Sequence, residues 1–267
     1  MLRELTDRIN RRFDDPQARL NDLREQLQRI FLVALHDARA FSRIAFVGGT
    51  CLRIVHGLRR YSEDLDFSLV DRQDYDFPAI LRKTGSRLNA FGIEHSVKIK
   101  TKNTVHSALI GFPQVRQWIG EHPMASAKLN IKIDVDTRPP EGWKTELHIQ
   151  RTEFGLAGVT CYDLPSLFAG KLHALCCRKY TKGRDWYDLV WYLTQMPPAE
   201  PNLDMLTNAV AQTEGAEAWK GDEWRARLQE KIRELDLAAV KADILPFISR
   251  REELDIFSKE SLLSLIK

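Results

Sequence analysis

The sequence predicts an α+β fold, with a mixed sheet and flanking helices first and an all-helical part afterwards. Three observations predict it. Residues 128–136 alternate with period two, which marks a strand buried on one face. There Leu129, Ile131, Ile133 and Val135 point one way, and Lys128, Asn130, Lys132, Asp134 and Asp136 point the other. Ile44, Ala45, Phe46 and Val47 form a short apolar run that stops at Gly48-Gly49, as a buried strand entering a turn does. From about Asp163 onward the apolar spacing becomes helical, and strands first with helices after is the α+β pattern. A boundary near residue 160 follows, giving a first domain over 1–160 and an α-helical domain over 161–267.

Taken in order, Asp14-Asp15-Pro16 opens a helix, with Asp15 as cap and Pro16 in the first turn. Leu20, Leu23, Leu27, Ile30 and Ala34 follow at helical spacing. After the 44–47 strand, residues 51–56 start a helix, residues 65–70 form a second strand, and residues 77–89 form a helix with Ile80, Leu81 and Leu88 inward. Residues 93–100 and 105–111 read as two strands joined through Lys102-Asn103, and 128–136 is the clearest strand of all. Leu164-Pro165 opens a helix over 164–180. Another helix covers 186–196 and is ended by Pro197-Pro198. About four short helices complete the chain.

A hydrophobic content of 43% over 267 residues suffices for a sizeable core. No apolar run is long enough for a membrane span, and Met1-Leu2-Arg3-Glu4-Leu5 lacks the apolar stretch of a signal peptide. The four cysteines (Cys51, Cys161, Cys176 and Cys177) show neither Cys-x-x-Cys nor zinc-finger spacing, so reduced thiols and a cytoplasmic protein are expected. The formal charge of +3 neither demands nor excludes nucleic acid. Local clusters say more: Arg59-Arg60, and Arg178-Lys179 with Lys182 and Arg184, each precede an acidic motif, although solvated charged faces look the same.

The chemistry concentrates in Phe46-Val47-Gly48-Gly49-Thr50 and in Arg60-Tyr61-Ser62-Glu63-Asp64-Leu65-Asp66-Phe67. Asp64 and Asp66, two apart on a strand, share a face. Carboxylates side by side repel unless a cation lies between them. Magnesium suits that place, because it takes a few carboxylates together with water and substrate phosphates; manganese is the alternative. Gly48 and Gly49 would let backbone amides approach phosphate at a helix N-terminus, and Thr50 adds a hydroxyl. An isolated Asp-x-Asp is usually a solvated strand face. The ordered set of strand, Gly-Gly-Thr, helix and Asp-Leu-Asp strand is sharper, and it resembles the first motif of the DNA polymerase β-like nucleotidyltransferases. That resemblance implies a third carboxylate on a later strand. Asp134 and Asp136 are the candidates, with Asp134 favoured. It also implies a two-metal displacement, with Asp64 and Asp66 holding both ions and Asp134 near the attacking hydroxyl.

The helical half extends the likeness. Leu164-Pro165-Ser166-Leu167-Phe168-Ala169-Gly170-Lys171 and then Gly183-Arg184-Asp185-Trp186-Tyr187-Asp188-Leu189 resemble the AbiEii/AbiGii family of nucleotidyltransferase toxins, as does Arg60-x-Ser62-x-Asp64-Leu65-Asp66-Phe67. The resemblance implies a type IV-style toxin–antitoxin or phage-defence enzyme with an NTP substrate and a cognate antitoxin. The related MenT toxins add nucleotides to tRNA 3′ ends, so an RNA acceptor is expected. It assigns Lys171 to the triphosphate and makes Asp185 a catalytic acid. Ser62 becomes a nucleotide contact or a modified residue, and Arg184 a phosphate ligand or the partner of a nearby acid. Arg178, Lys179, Lys182 and Arg184 are candidates for RNA. Structural readings stand beside these. In them Lys171 snorkels past the core, Asp185 caps the helix at Trp186, Trp186, Tyr187, Trp191 and Tyr192 are chiefly core, and His173 is structural. Alternative functions are transfer to a protein hydroxyl or a small molecule, or an inactive nucleotide-binding regulator.

Overall fold

We obtained a computed structural model of the chain, which describes residues 2–101, 103–113, 115, 119–120 and 128–266. Lys102, expected in a strand connection, lies outside them. The chain divides into two compact units. One comprises Met1–Gly57, Tyr61–Arg138 and Glu146–Cys161; the other comprises Leu58–Arg60, Pro139–Thr145 and Tyr162–Lys267. Two short pieces that precede residue 160 thus belong with the helical unit.

The first unit is built on a seven-stranded mixed sheet. Its strands are β1 (Ile44–Val47), β2 (Leu65–Leu69), β3 (Ser96–Lys100), β4 (Val105–Phe112), β5 (Leu129–Asp136), β6 (Thr145–Thr152) and β7 (Gly155–Tyr162). The order across the sheet is β3-β4-β5-β2-β1-β7-β6. β2 lies antiparallel to β1 and parallel to β5, while β1 lies parallel to β7. The alternation of β5 appears as burial, with Leu129, Ile131, Ile133 and Val135 all in the core. β6 and β7 were not announced by any pattern. β6 is an edge strand on which every second residue is exposed and the rest only half-buried, so it lacks an apolar face to read.

The helices of this unit are α1 (Leu2–Arg12), α2 (Pro16–Asp37), α3 (Gly48–His56) and α4 (Phe77–Ala90). Asp15 caps α2 by accepting from the Ala18 amide at 2.8 Å. Its predicted apolar positions, Leu20, Leu23, Leu27, Ile30 and Ala34, are buried. α2 also buries Asn21, Asp22, Glu25 and Gln28. Buried polar groups need partners, and those of Glu25 and Gln28 lie around the loop that leads into β2, as described below.

The second unit contains α5 (Leu164–Cys177), α6 (Gly183–Leu193), α7 (Leu203–Glu214), α8 (Trp224–Glu234), α9 (Leu237–Ile244) and α10 (Lys259–Leu265). α5 packs on α6, α7 and α8, and α6 also packs on α9. Phe168 stacks on Tyr192 at 4.2 Å between ring centroids and meets Trp224 edge-on, forming the aromatic core of this unit. Trp186, Tyr187 and Tyr192 are buried. Gly183 opens α6 where a Cβ would come within 2.4 Å of the Val240 carbonyl oxygen, so only glycine permits this approach to α9. Among the described residues no helix is long and apolar enough to cross a membrane.

Candidate active site

The sheet register assembles the acidic residues. Asp66 on β2 is paired with Val47 on one side and Asp134 on the other. Register partners on adjacent strands present their side chains to the same face, about 5 Å apart, so Asp66 and Asp134 are neighbours. Asp136 is paired with Ser68 instead, and its carboxylate accepts from the Arg138 amide at 2.9 Å. Asp64 stands one residue before β2.

Helix α3 starts directly from β1, without the turn that Gly48-Gly49 suggested. Gly48 has φ +78°, and a Cβ there would lie 2.6 Å from Asp66 Oδ2. Both its backbone conformation and its closeness to the carboxylate require glycine. Thr50 is fully buried, and its hydroxyl donates to the Asp64 carbonyl oxygen. The first turn of α3 therefore touches both acidic residues, Asp66 through Gly48 and Asp64 through Thr50.

The loop before β2 is held by α2. Gln28 Nε2 donates to the Ser62 and Glu63 carbonyl oxygens at 3.1 and 2.9 Å. Glu25 receives Arg29 and Arg53, each at 2.8 Å, and Arg53 lies over the Tyr61 ring. Ser62 itself is half-buried. Sequence reading missed this support, although its signal was present: Asn21, Glu25 and Gln28 recur at i, i+4, i+7 on a helix otherwise rich in leucine.

Lys132, two residues before Asp134 on the same strand face, reaches its Oδ2 at 2.6 Å. The hydrogen bond to Asp134 holds the ammonium above its ordinary pKa against the opposing effect of burial, and Asp64 and Asp66 add to the shift. All three carboxylates therefore lie within electrostatic reach of one cation. The other Asp134 oxygen, Oδ1, is buried and has no hydrogen-bond partner. A buried carboxylate oxygen left without a donor is costly. Here it is an unpartnered oxygen beside a second carboxylate, and this donor set of oxygens fits magnesium or manganese.

The helical unit gathers a different set. Arg60 grips Asp188 with two bonds of 2.6 Å, both side chains being almost fully buried. Lys171 reaches Asp185 at 2.7 Å and Asp188 at 2.8 Å, and Arg178 reaches Asp185 at 2.6 Å. Burial alone would raise the Asp185 carboxyl, but Lys171, Arg178 and Lys182 outweigh it and hold the group below its ordinary value. Burial likewise opposes the charge of Lys171, yet Asp185 and Asp188 raise its pKa above the ordinary value. Asp185 lies inside α6, and the N-cap position is Lys182. Asp188 and Arg60 were not singled out together by sequence, since they lie 128 residues apart.

A cavity of about 180 Å³ adjoins this network and is lined by Arg178, Lys179, Lys182, Asp185 and Lys231, with Tyr180 beside them. Arg184 does not line it. Arg184 lies over the Phe247 ring at 4.3 Å, and its backbone amide donates to Asp243 at 3.1 Å. His173 bonds Thr213 at 2.8 Å. A Cβ on Gly170 would meet nothing within 4 Å.

A family model described as nucleotidyl transferase AbiEii toxin, type IV toxin–antitoxin system, matches residues 30–259. Comparison with curated proteins found no match. Among solved structures, the chain is similar to JHP933 from Helicobacter pylori, with TM-score 0.50 and 17% identity over 92% of this chain and 90% of that one. A second H. pylori chain, named as a presumptive nucleotidyltransferase, aligns with TM-score 0.47 and 19% identity over 90% of each chain. The JHP933 likeness is one of fold.

Proposed function

The chain belongs to the AbiEii family of nucleotidyl transferase toxins of type IV toxin–antitoxin systems, and from that premise we propose that it transfers a nucleotide from an NTP to the 3′ end of a tRNA. The observation that carries the reading is the row formed by Asp66 and Asp134 across β2 and β5, with the unpartnered Oδ1 of Asp134 beside it. Asp64, Asp66 and Asp134 would hold two divalent cations, magnesium or manganese, which when bound offset the negative charge developing on the triphosphate.

The residues of the chain do the rest. Gly48 and Gly49 are assigned to a nucleotide phosphate through the amides that begin α3, and Thr50 orients Asp64 through its backbone rather than contacting the nucleotide. Asp134 takes the proton of the attacking ribose hydroxyl. The hydroxyl oxygen bonds to the α-phosphorus, the bond to the bridging oxygen breaks, and pyrophosphate leaves. Ser62, in the loop clamped by Gln28, is assigned to the nucleotide. Lys171 is assigned to a nucleotide phosphate, with Asp185 and Asp188 keeping it charged and aimed. Arg178, Lys179 and Lys182, around one cavity, are assigned to RNA phosphates. A cytoplasmic location and control by a cognate antitoxin complete the reading.

The test is incubation of the protein with each α-labelled NTP, magnesium and total RNA. The expected product is labelled tRNA lengthened by one or a few nucleotides, removed by 3′-exonuclease digestion. Label on a polypeptide with none on RNA would replace the RNA acceptor by a protein hydroxyl. Pyrophosphate release from no NTP under any of these conditions would overturn the enzymatic reading.

A further inference from the structure

The sheet unit holds a second group of metal-ligating side chains that the nucleotidyl transfer does not use. His56 closes α3, Glu146 and His148 are alternate residues of β6, and Cys161 lies on β7. One donor atom from each lies within 4.8 Å of all the others. We propose that His56, Glu146, His148 and Cys161 bind a zinc ion, in a structural site separate from the carboxylates of β2 and β5.

Donor chemistry selects the metal. Two imidazoles, one thiolate and one carboxylate make a borderline-soft set that suits zinc, whereas magnesium takes oxygen alone. Zinc-bound nitrogen and sulfur atoms in a tetrahedron stand about 3–4 Å apart, so the group needs only a small contraction. His56 Nε2 is buried, has no hydrogen-bond partner, and stands 4.0 Å from Glu146 Oε1. A lone pair or N–H so placed is unsatisfied until a ligand arrives. His148 Nε2 contacts the same Glu146 oxygen at 2.7 Å. Glu146 and His148 are two apart on a strand and so share a face, which aims both at the same point. Cys161 is buried on β7, where its sulfur completes the set beside the two imidazoles and the carboxylate. On metal binding, any proton still on Cys161 or on the ligating imidazole nitrogens passes to solvent.

His56 lies on α3, about ninety residues before Glu146, His148 and Cys161 on the consecutive strands β6 and β7, so no compact Cys/His spacing reveals the set. With every position filled by protein, the site has the closed character of structural zinc. It would tie the end of α3 to the edge strand β6. The opposite end of the same helix is the turn that touches Asp66 and Asp64.

The experiment uses the full chain, stripped with a chelator and titrated with cobalt(II) as a visible stand-in for zinc. The expected result is one equivalent bound with a thiolate-to-cobalt charge-transfer band and strong tetrahedral d–d bands, both displaced by zinc. Zinc should also raise Tm. Asp66→Ala should keep both sets of bands, which separates this site from the catalytic carboxylates. Cys161→Ser should remove the charge-transfer band. Because Cys161 is buried and that variant is at risk of misfolding, Glu146→Gln and His148→Gln, at partly exposed positions, give an independent reading. Each should weaken cobalt binding at least about tenfold, on the scale set by metal-site substitutions. No charge-transfer band in the wild type, or unchanged affinity in both Gln variants, would overturn the proposal.

Discussion

The two units handle charge in opposite ways. In the sheet unit, Asp66 and Asp134 stand side by side, Lys132 reaches one Asp134 oxygen, and the other, Oδ1, is buried without a hydrogen-bond partner. In the helical unit, Arg60, Lys171 and Arg178 alternate with Asp185 and Asp188, and each acid is shared between two cations. Like charges gathered on rigid strands cost stability and make sense only with a ligand. Alternating charges satisfy one another, and such a network holds its members in one arrangement. The first arrangement leaves Asp134 Oδ1 unmatched; the second pairs its acids and cations with one another, and Arg178 also lines the cavity.

Removal of one acid from each unit should therefore have opposite consequences. Asp188→Ala would remove the bidentate partner of the buried Arg60 and one of the two acids that Lys171 reaches, and should lower unfolding stability by about 3–5 kcal/mol, read by urea denaturation. Asp66→Ala should leave stability unchanged or slightly higher, while label incorporation falls at least about a hundredfold. A stable Asp188 variant or an unstable Asp66 variant would erase the distinction. The pH dependence sharpens it. Asp185 is held below its ordinary pKa, so its contribution to stability is complete above the unfolded carboxylate value and is lost as pH falls through the folded one. Urea midpoints of the wild type should drop on acidification, and those of Asp185→Asn should drop less.

Smaller effects test the exposed parts of the helical unit. Neutralising Lys179 and Lys182 together should reduce the slope of log tRNA affinity against log salt by about one unit per lost phosphate contact. Identical slopes would leave the cavity as part of a self-contained network. The smallest effect belongs to Gly170. Its α5 position has open space around a built Cβ, so Gly170→Ala should raise stability by about 0.5–1 kcal/mol. Stabilisation together with lost activity would place a substrate against that face.

What the sequence disclosed follows the same division. β5 was legible because its alternation is complete and its apolar half is fully buried. The strand carrying Asp66 was read from the Asp-Leu-Asp spacing, and Asp134 was placed beside it by the alternation of β5 together with the family resemblance. The helical elements from Leu164 to Leu193 were legible through Pro165 and the apolar spacing, although both helices end three residues earlier than the pattern suggested. Pairings between distant segments left no local trace. Arg60 looked like one member of a basic pair before the acidic motif, and only the fold assigns it to Asp188. Gln28 sat in an ordinary amphipathic helix, and its contact is with backbone carbonyls, which no side-chain pattern encodes. The edge strand β6 lacked an apolar face, so its metal-ligating pair passed as surface residues.

The pairing of Asp66 with Asp134 bears on when the protein becomes harmful to the cell that makes it. β2 meets β5 in parallel register only after β3 and β4 have been synthesised between them, and β1 gains its other neighbour, β7, later still. Parallel pairing across so much chain forms late, because a large loop must close before any contact repays it. A ribosome-bound fragment ending before β5 carries Asp64 and Asp66 without Asp134, the acid proposed to complete the site. Nascent and prematurely terminated chains should accordingly be inert, so that a translating cell has until nearly the whole sheet has emerged to supply whatever restrains the finished enzyme.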